Sequence, residues 1–210
     1  MLGFVVGLTA EARIAARFGF PVEAGGGTPE GAARAASRLV EQGATALVSF
    51  GLAGGLDPAL RPGSLIIPSI VASESRWHAD LALALLFGGL TDHTLFAGSR
   101  IVADVASKRR LYAETKAHAI DLESGSVASV ATAKGLPFVV VRAICDPAER
   151  NLPPAALVAL DSTGGIGLTG VLCSVARHPG QIPALLALAG DAARARRTLV
   201  ALTERFTHGP

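Results

Sequence analysis

Short runs of β-branched and aromatic residues alternate along this chain with longer segments rich in alanine, leucine and arginine. Leu2 to Leu8 is a continuous apolar run without polar alternation, the pattern of a strand covered on both faces of a parallel sheet. Glu11 to Phe18 predicts a short helix. Thr28 to Gln42 predicts a longer one: Thr28 suits the N-cap, Pro29 the first turn, and Ala32, Ala35, Ala36, Leu39 and Val40 recur at helical spacing before Gly43 closes the element. Thr45 to Phe50 reads as a second core strand that runs into a glycine loop, Gly51-Leu52-Ala53-Gly54-Gly55-Leu56-Asp57. Leu65 to Ala72 predicts a third strand behind the turn residues Arg61-Pro62-Gly63. Further on come an amphipathic helix (Asp104 to Thr115), a short strand (Ala119 to Leu122) and a helix from Glu123 to Lys134 ended by Gly135 and Pro137. Phe138 to Ile144 reads as an apolar strand. Helices are expected from Pro153, with breaks at Ser162-Thr163-Gly164-Gly165 and at Pro179, and a last helix from Ile182 to Phe206.

Strands alternating with helices predict the α/β class, here three layers, α/β/α, around a mixed, mostly parallel central sheet. No repeat or linker divides the chain, which assigns residues 1–210 to a single domain. In such sheets ligands bind beyond the carboxyl ends of the strands. Three of those ends carry reactive residues: Gly7-Leu8-Thr9-Ala10-Glu11, Phe50-Gly51-Leu52-Ala53-Gly54-Gly55, and Arg142-Ala143-Ile144-Cys145-Asp146.

Composition narrows the function classes. Half of the residues are hydrophobic, 17% are charged, and the mean hydropathy is +0.45, so the core is extensive or apolar surface is exposed for a partner. No apolar stretch reaches the ~18 residues of a membrane span, and Leu81 to Leu90 is either a core or an interfacial element. The start lacks the basic region and cleavage site of a signal peptide. The two cysteines, Cys145 and Cys173, form neither a disulfide framework nor a metal spacing, which suits a reducing cytoplasm and a site without metal. Net charge is +2, aromatics are 5%, and basic residues cluster only at Arg194, Arg196 and Arg197, a pattern that excludes nucleic acid as a partner.

The carboxylates at the strand ends are the candidate chemistry. Asp146 ends the most hydrophobic strand, where desolvation raises a carboxyl pKa toward general-acid use; the other reading is a cap of the following Asp-Pro-Ala-Glu turn. Glu123 stands where a short strand becomes a Ser/Gly/Ala-rich helix, either facing a ligand or complementing the helix dipole. Glu11 occupies the first helical turn at the mouth of the first strand, with the same two readings. Gly51, Gly54 and Gly55 let backbone approach a ligand, or simply form a turn. Together the carboxylates suggest acid/base work on a neutral, hydroxyl-bearing substrate.

At GLTAEA, FGLAGGLDPALRPGSLIIPS, SRWHAD, DLES and FVVVRAICDPA the sequence resembles the nucleoside phosphorylase and nucleosidase superfamily, especially methylthioadenosine/S-adenosylhomocysteine nucleosidases. The segments DPAERNLPPAALVALD and HPGQIPALLALAGDAARARR are most similar to those of the hopanoid-associated phosphorylases, also described as adenosylhopane nucleosidases. The resemblance implies a purine nucleoside phosphorylase-like fold and cleavage of an adenine nucleoside, most specifically adenosylhopane in hopanoid synthesis. It makes Asp146 the acid at purine N7, Glu123 the carboxylate gripping the ribose hydroxyls, and Glu11 the glutamate beside the attacking water. Leu122, where the family often has Met, floors the ribose. Gly51, Leu52, Ala53 and Gly54 line the sugar side, and Ile101 or Val102 replaces the aromatic that stacks on the base. Trp77, the only tryptophan, is either a core or interface residue or a substrate contact, and His78 beside it is a structural hydrogen bonder.

Departures from the family pattern carry weight too. Leu52 stands where the nucleosidases have serine, and the hairpin between the first two helices is reduced to Phe20 to Gly25, which suits a large hydrophobic tail on the ribose or simple trimming of a loop. No cofactor is implied. Inorganic phosphate stays open as a co-substrate, since Arg13, Arg34, Arg76 or an arginine from a neighbouring subunit would build an anion site, while Glu11 in place of a phosphate-binding arginine leans toward hydrolysis. The expected partners are a nucleoside with a hydrophobic tail, a second copy of the chain in a homodimer, and transient contact with a membrane surface, with Leu152 to Leu160 as a lid, a tail contact or ordinary packing. The rival readings are a methylthioadenosine/S-adenosylhomocysteine nucleosidase and a catalytically silent nucleoside- or lipid-binding relative.

Overall fold

The computed structural model describes residues 1–157 and 174–208; the break expected at 162–165, Cys173 and the end of the 152–160 stretch lie outside them. The elements are β1 (Leu2–Val6), α1 (Thr9–Ala15) with a 3-10 turn (Ala16–Phe18), β2 (Val22–Ala24), α2 (Pro29–Glu41), β3 (Ala46–Gly55), β4 (Leu65–Ile66), β5 (Pro68–Ala72), β6 (Arg76–His78), α3 (Leu81–Leu85), β7 (Thr91–Ala97), α4 (Val105–Thr115), β8 (Ala119–Asp121), α5 (Ser124–Ala133), β9 (Phe138–Asp146), α6 (Pro154–Leu157) and a C-terminal helix (Ile182–His208).

Among the described residues one sheet holds all nine strands, in the order β2-β1-β3-β8-β7-β5-β6, with β9 on β3 and β4 on β9. The β1/β2, β1/β3, β3/β9, β5/β7 and β7/β8 pairs are parallel; β3/β8, β4/β9 and β5/β6 are antiparallel. The mixed, mostly parallel sheet is therefore as expected. Alternation along each strand divides the core between its two faces. Val5, Leu47 and Val140 pack with the buried faces of α2 and α5, whereas Phe4, Val48 and Val141 pack with α1, α3 and the C-terminal helix.

Several expectations are corrected. The glycine segment is not a loop. It is the end of β3, paired with β9 as far as Gly54, where the register shifts, and with β8 at Gly54 and Gly55. Leu65 to Ala72 is two strands divided at Ile67, and β1 stops at Val6. Strands β2, β6 and β7 carry too little apolar periodicity to be read from sequence. Leu81 to Leu90 is both things at once: Leu83, Ala84 and Phe87 are core, while Leu81, Leu85 and Leu86 are exposed. No helix of the described residues is long and apolar enough to cross a membrane.

Helix caps follow the sequence. Thr28 Oγ1 accepts from the Gly31 amide at 3.1 Å, and the Asp104 carboxylate accepts from the Ser107 amide at 2.8 Å, fixing where α2 and α4 begin. Six phenylalanines (4, 18, 20, 50, 87 and 206) form a ring cluster that ties β1, β3 and the turn after α1 to the C-terminal helix. Phe18 touches four of the others, at centroid distances of 4.9 to 5.7 Å. Phe18→Ala is expected to lower unfolding free energy by about 3–5 kcal/mol, the range for truncating a buried aromatic, measured by chemical denaturation.

Candidate active site

The carboxyl ends of β1, β3, β8 and β9 surround a cavity of about 220 Å³. Glu11, Glu123, Asp146 and Asp121 line it together with apolar groups that include Leu52, Ala53, Ile101, Val102, Leu122 and Leu152. The three carboxylates expected at strand ends thus share one largely apolar cavity. Gly54 also lines it; Gly51 does not, lying behind Glu11, and Trp77 lines a neighbouring groove with Phe96 and Gly125. Leu122 borders both spaces. His78 is exposed on the edge strand β6.

Glu11 is nearly fully buried and is held by backbone donors. Its Oε2 accepts from the Gly7 and Leu8 amides at 3.0 and 2.7 Å, and its Oε1 accepts from the Leu52 amide at 2.8 Å. Burial raises its pKa; Arg142 and these amides oppose the shift without cancelling it. Oε2 has both of its acceptor positions filled, while Oε1, with a single donor, keeps capacity for one more, so a water or hydroxyl can still reach Glu11. The approach depends on glycine. A Cβ at Gly51 would lie 2.7 Å from Glu11 Oε1, and one at Gly7 would lie 2.5 Å from Glu123 Oε1.

The centre of the site is a guanidinium that sequence reading passed over. Arg142, on β9, is 1% exposed. Its Nε donates to Asp121 Oδ2 at 2.6 Å, and its Nη2 donates to Ser49 Oγ at 2.8 Å and to Glu123 Oε2 and Ser124 Oγ at 3.3 Å. Asp121 is also bonded by the Ser124 amide at 3.1 Å and by the Ser124 hydroxyl. Burial pushes the Glu123 carboxyl up to about 8, Arg142 offsetting part of the shift and the neighbouring Asp121 and Glu11 charges adding to it. A lone arginine within Phe-Val-Val-Val-Arg-Ala-Ile-Cys-Asp was the available signal, because a cation buried in a strand requires anionic partners.

Asp146 is the second pairing that sequence did not show. Its Oδ2 lies 2.7 Å from the ammonium of Lys108, a buried residue of α4. Its Oδ1 is buried without a hydrogen-bond partner. Burial raises the Asp146 pKa, against the lowering effect of Lys108. Lys108 was legible as an oddity, sharing helical spacing with Val105, Leu111 and Tyr112 on the inner side of α4. Cys145, adjacent, has its thiol pushed up to about 12 by burial first and by Asp146, so it is not a nucleophile at neutral pH.

Arg13, Arg34 and Arg76 are exposed and do not line the cavity, whereas Arg100 does. Among the described residues no cluster of three or more His, Cys, Asp or Glu side chains is arranged to hold a metal ion.

A phosphorylase superfamily model matches residues 7–81 and 92–161, more than half of the chain. A 5′-methylthioadenosine/S-adenosylhomocysteine nucleosidase of Treponema pallidum (strain Nichols) is 34% identical over 59 residues, a match that spans 28% of this chain and only 22% of that protein. Among solved structures, futalosine hydrolase of Helicobacter pylori strain 26695 superimposes with a TM-score of 0.72 at 16% identity, covering 99% of this chain and 97% of that one. The Helicobacter pylori 5′-methylthioadenosine/S-adenosylhomocysteine nucleosidase with butyl-thio-DADMe-Immucillin-A gives 0.68 at 16% identity, covering 97% of each chain. At such identities the superpositions establish the fold.

The raised pKa of Glu123 has a consequence for stability. Its folded value, about 8, lies above the ordinary 4.5, so the proton it holds supports the fold at low pH and that support is lost as pH rises through about 8. Glu123→Gln removes the buried ionisation. Its melting temperature relative to the parent protein is expected to rise steadily between about pH 5 and about pH 9; a difference independent of pH would show that Glu123 is already charged in the fold.

Proposed function

The chain belongs to the phosphorylase superfamily, and from that premise we propose that it cleaves the N-glycosidic bond of an adenine nucleoside with Asp146, Glu123 and Glu11. The observation that carries this reading is the convergence of the three carboxyl groups on one apolar-walled cavity at the strand ends. Asp146 gives its proton to purine N7 while the electron pair of the glycosidic bond moves to N9, so adenine leaves neutral. Glu123 accepts from the ribose hydroxyls and faces the positive charge that develops on the sugar. A carboxyl whose ionisation is disfavoured in the empty site gains most when that charge appears, which stabilises the transition state more than the ground state. Glu11 lies beside the attacking water and takes its proton. Leu122 supports the ribose, Ile101 and Val102 pack on the base, and the backbone at Leu52, Ala53 and Gly54 borders the sugar.

Water is the nucleophile this site favours. Of the residues lining the cavity only Arg100 is a cation, and it is exposed; Arg142 and Lys108, behind the lining, are engaged by Asp121, Glu123 and Ser49 and by Asp146. Phosphate beside Glu11 would meet a negative or proton-holding carboxyl and no convergent arginine pair. No cofactor enters the reaction.

The substrate proposed is adenosylhopane. Exposed Ile101 at the cavity and the short Phe20–Gly25 connection, which forms only the strand β2, favour a long apolar substituent on the ribose. Exposed Leu81, Leu85, Leu86, Ile182 and Leu186 supply apolar surface for a second copy of the chain and for brief contact with a membrane surface that holds such a substrate.

Incubation with adenosylhopane, with and without phosphate, is expected to release adenine in both cases. Absence of adenine in both, alongside turnover of methylthioadenosine, S-adenosylhomocysteine or futalosine, would replace the substrate; strict dependence on phosphate would replace water as the nucleophile. Asp146→Asn is expected to reduce the turnover number by about 10²–10⁴-fold, the usual contribution of a positioned acid, and retention of full activity would remove Asp146 from that role.

A further inference from the structure

Lys108 is unusual for a helical lysine. Its side chain is 1% exposed, and its ammonium meets three acceptors: Asp146 Oδ2 at 2.7 Å, the Pro147 carbonyl at 3.0 Å and the Arg150 carbonyl at 2.9 Å. Three acceptors match the three N–H bonds of an ammonium, so the group is held as a cation. The two oxygens of Asp146 are thereby made inequivalent. Oδ2 faces a donor, whereas Oδ1 is buried and has no partner, in a residue that lines the cavity. A proton on Oδ2 would point an O–H at an ammonium and forfeit an acceptor. A proton on Oδ1 leaves the ion contact intact and is the one without a competing partner in the protein.

We propose that Lys108 is a positioning residue for departure of the base: by occupying Asp146 Oδ2 it directs the acid proton to Oδ1, the unpartnered oxygen of this cavity-lining carboxyl, for transfer to the leaving purine. The inference rests on the reading of Asp146 as the acid. The proton passes from Oδ1 to the purine nitrogen, the glycosidic electron pair passes to the base, and Lys108 keeps all three of its protons. The carboxylate left behind stays against the ammonium. Lys108 therefore stabilises the conjugate base and strengthens the acid, in addition to orienting it.

The other groups around Asp146 are already committed. Arg150, in the segment after β9, pairs with Asp191 of the C-terminal helix, and Asp191 also accepts from Arg194 at 3.0 Å. Asp191 raises the Asp146 pKa and Arg150 lowers it, both less than burial and Lys108 do. The Cys145 thiol stays neutral, and Glu11 and Glu123 line other parts of the cavity.

The test is the pH profile of kcat/KM for adenine release in the parent protein, Lys108→Met, Lys108→Arg and Asp146→Asn. Activity requires the protonated acid, so the parent profile falls as pH rises through the Asp146 pKa. Without the cation the carboxyl holds its proton to higher pH. Lys108→Met should move the alkaline limb upward by about one unit or more, as expected for loss of an adjacent opposite charge, and lower the maximal rate at least about tenfold, since a weaker and misplaced acid transfers its proton more slowly. Lys108→Arg, which keeps the charge, should keep the limb near its original place. Lys108→Gln is the second neutral variant, with the same upward shift expected, for the case that the methionine protein does not fold. A neutral variant that is folded, slower and unmoved in its alkaline limb would reduce Lys108 to a structural staple. An active Asp146→Asn protein would instead overturn the acid itself, so the two failures are distinguishable.

Discussion

A guanidinium in the middle of a sheet must be neutralised where it lies, and the core of this protein is arranged around that requirement. Arg142 draws in Ser49 from β3, Asp121 from β8, and Glu123 and Ser124 from the start of α5. Removing one partner of such a buried network leaves an uncompensated charge, a loss of roughly 3–5 kcal/mol. The interaction therefore fixes the register at which three strands and a helix meet. It also delivers Glu123 to the cavity and holds Asp121 close enough to tune it.

Small residues make that crowding possible. Gly7 admits Glu123, Gly51 admits Glu11, and Gly125 lets the first turn of α5 sit against Ala97 of β7. The same economy explains why the end of β3 is strand and not loop: Gly54 and Gly55 allow one strand to leave β9 and take up β8 within two residues. A segment read as a glycine loop or a simple turn is instead the end of a strand that walls the cavity, which suits a site whose groups must be held before substrate arrives.

Two buried cations divide the site between them. Arg142 lies against Glu123 and Asp121, and Lys108 lies against Asp146. Each cation sits beside a carboxyl that burial alone would hold strongly protonated, and each offsets part of that shift. Asp146 and Glu123 are thus tuned by separate partners on separate elements, α4 and β9, so either can be altered with the other left in place.

The sequence by itself determined the layered class, the principal helices with the cap at Thr28, and the placement of Glu11, Glu123 and Asp146 at strand ends. Those features are local: hydrophobic period, capping chemistry and the direction of a parallel strand are written over a few adjacent positions. Tertiary structure alone decided which charges meet. Asp121 lies 21 residues from Arg142 and Ser49 lies 93 residues from it, and Lys108 lies on a different element from Asp146. Desolvation and Coulomb attraction depend on distance through space and on depth from solvent, neither of which is encoded in spacing along the chain. For that reason the carboxylates could be read from sequence, while the cations that set their protonation became visible only in the fold.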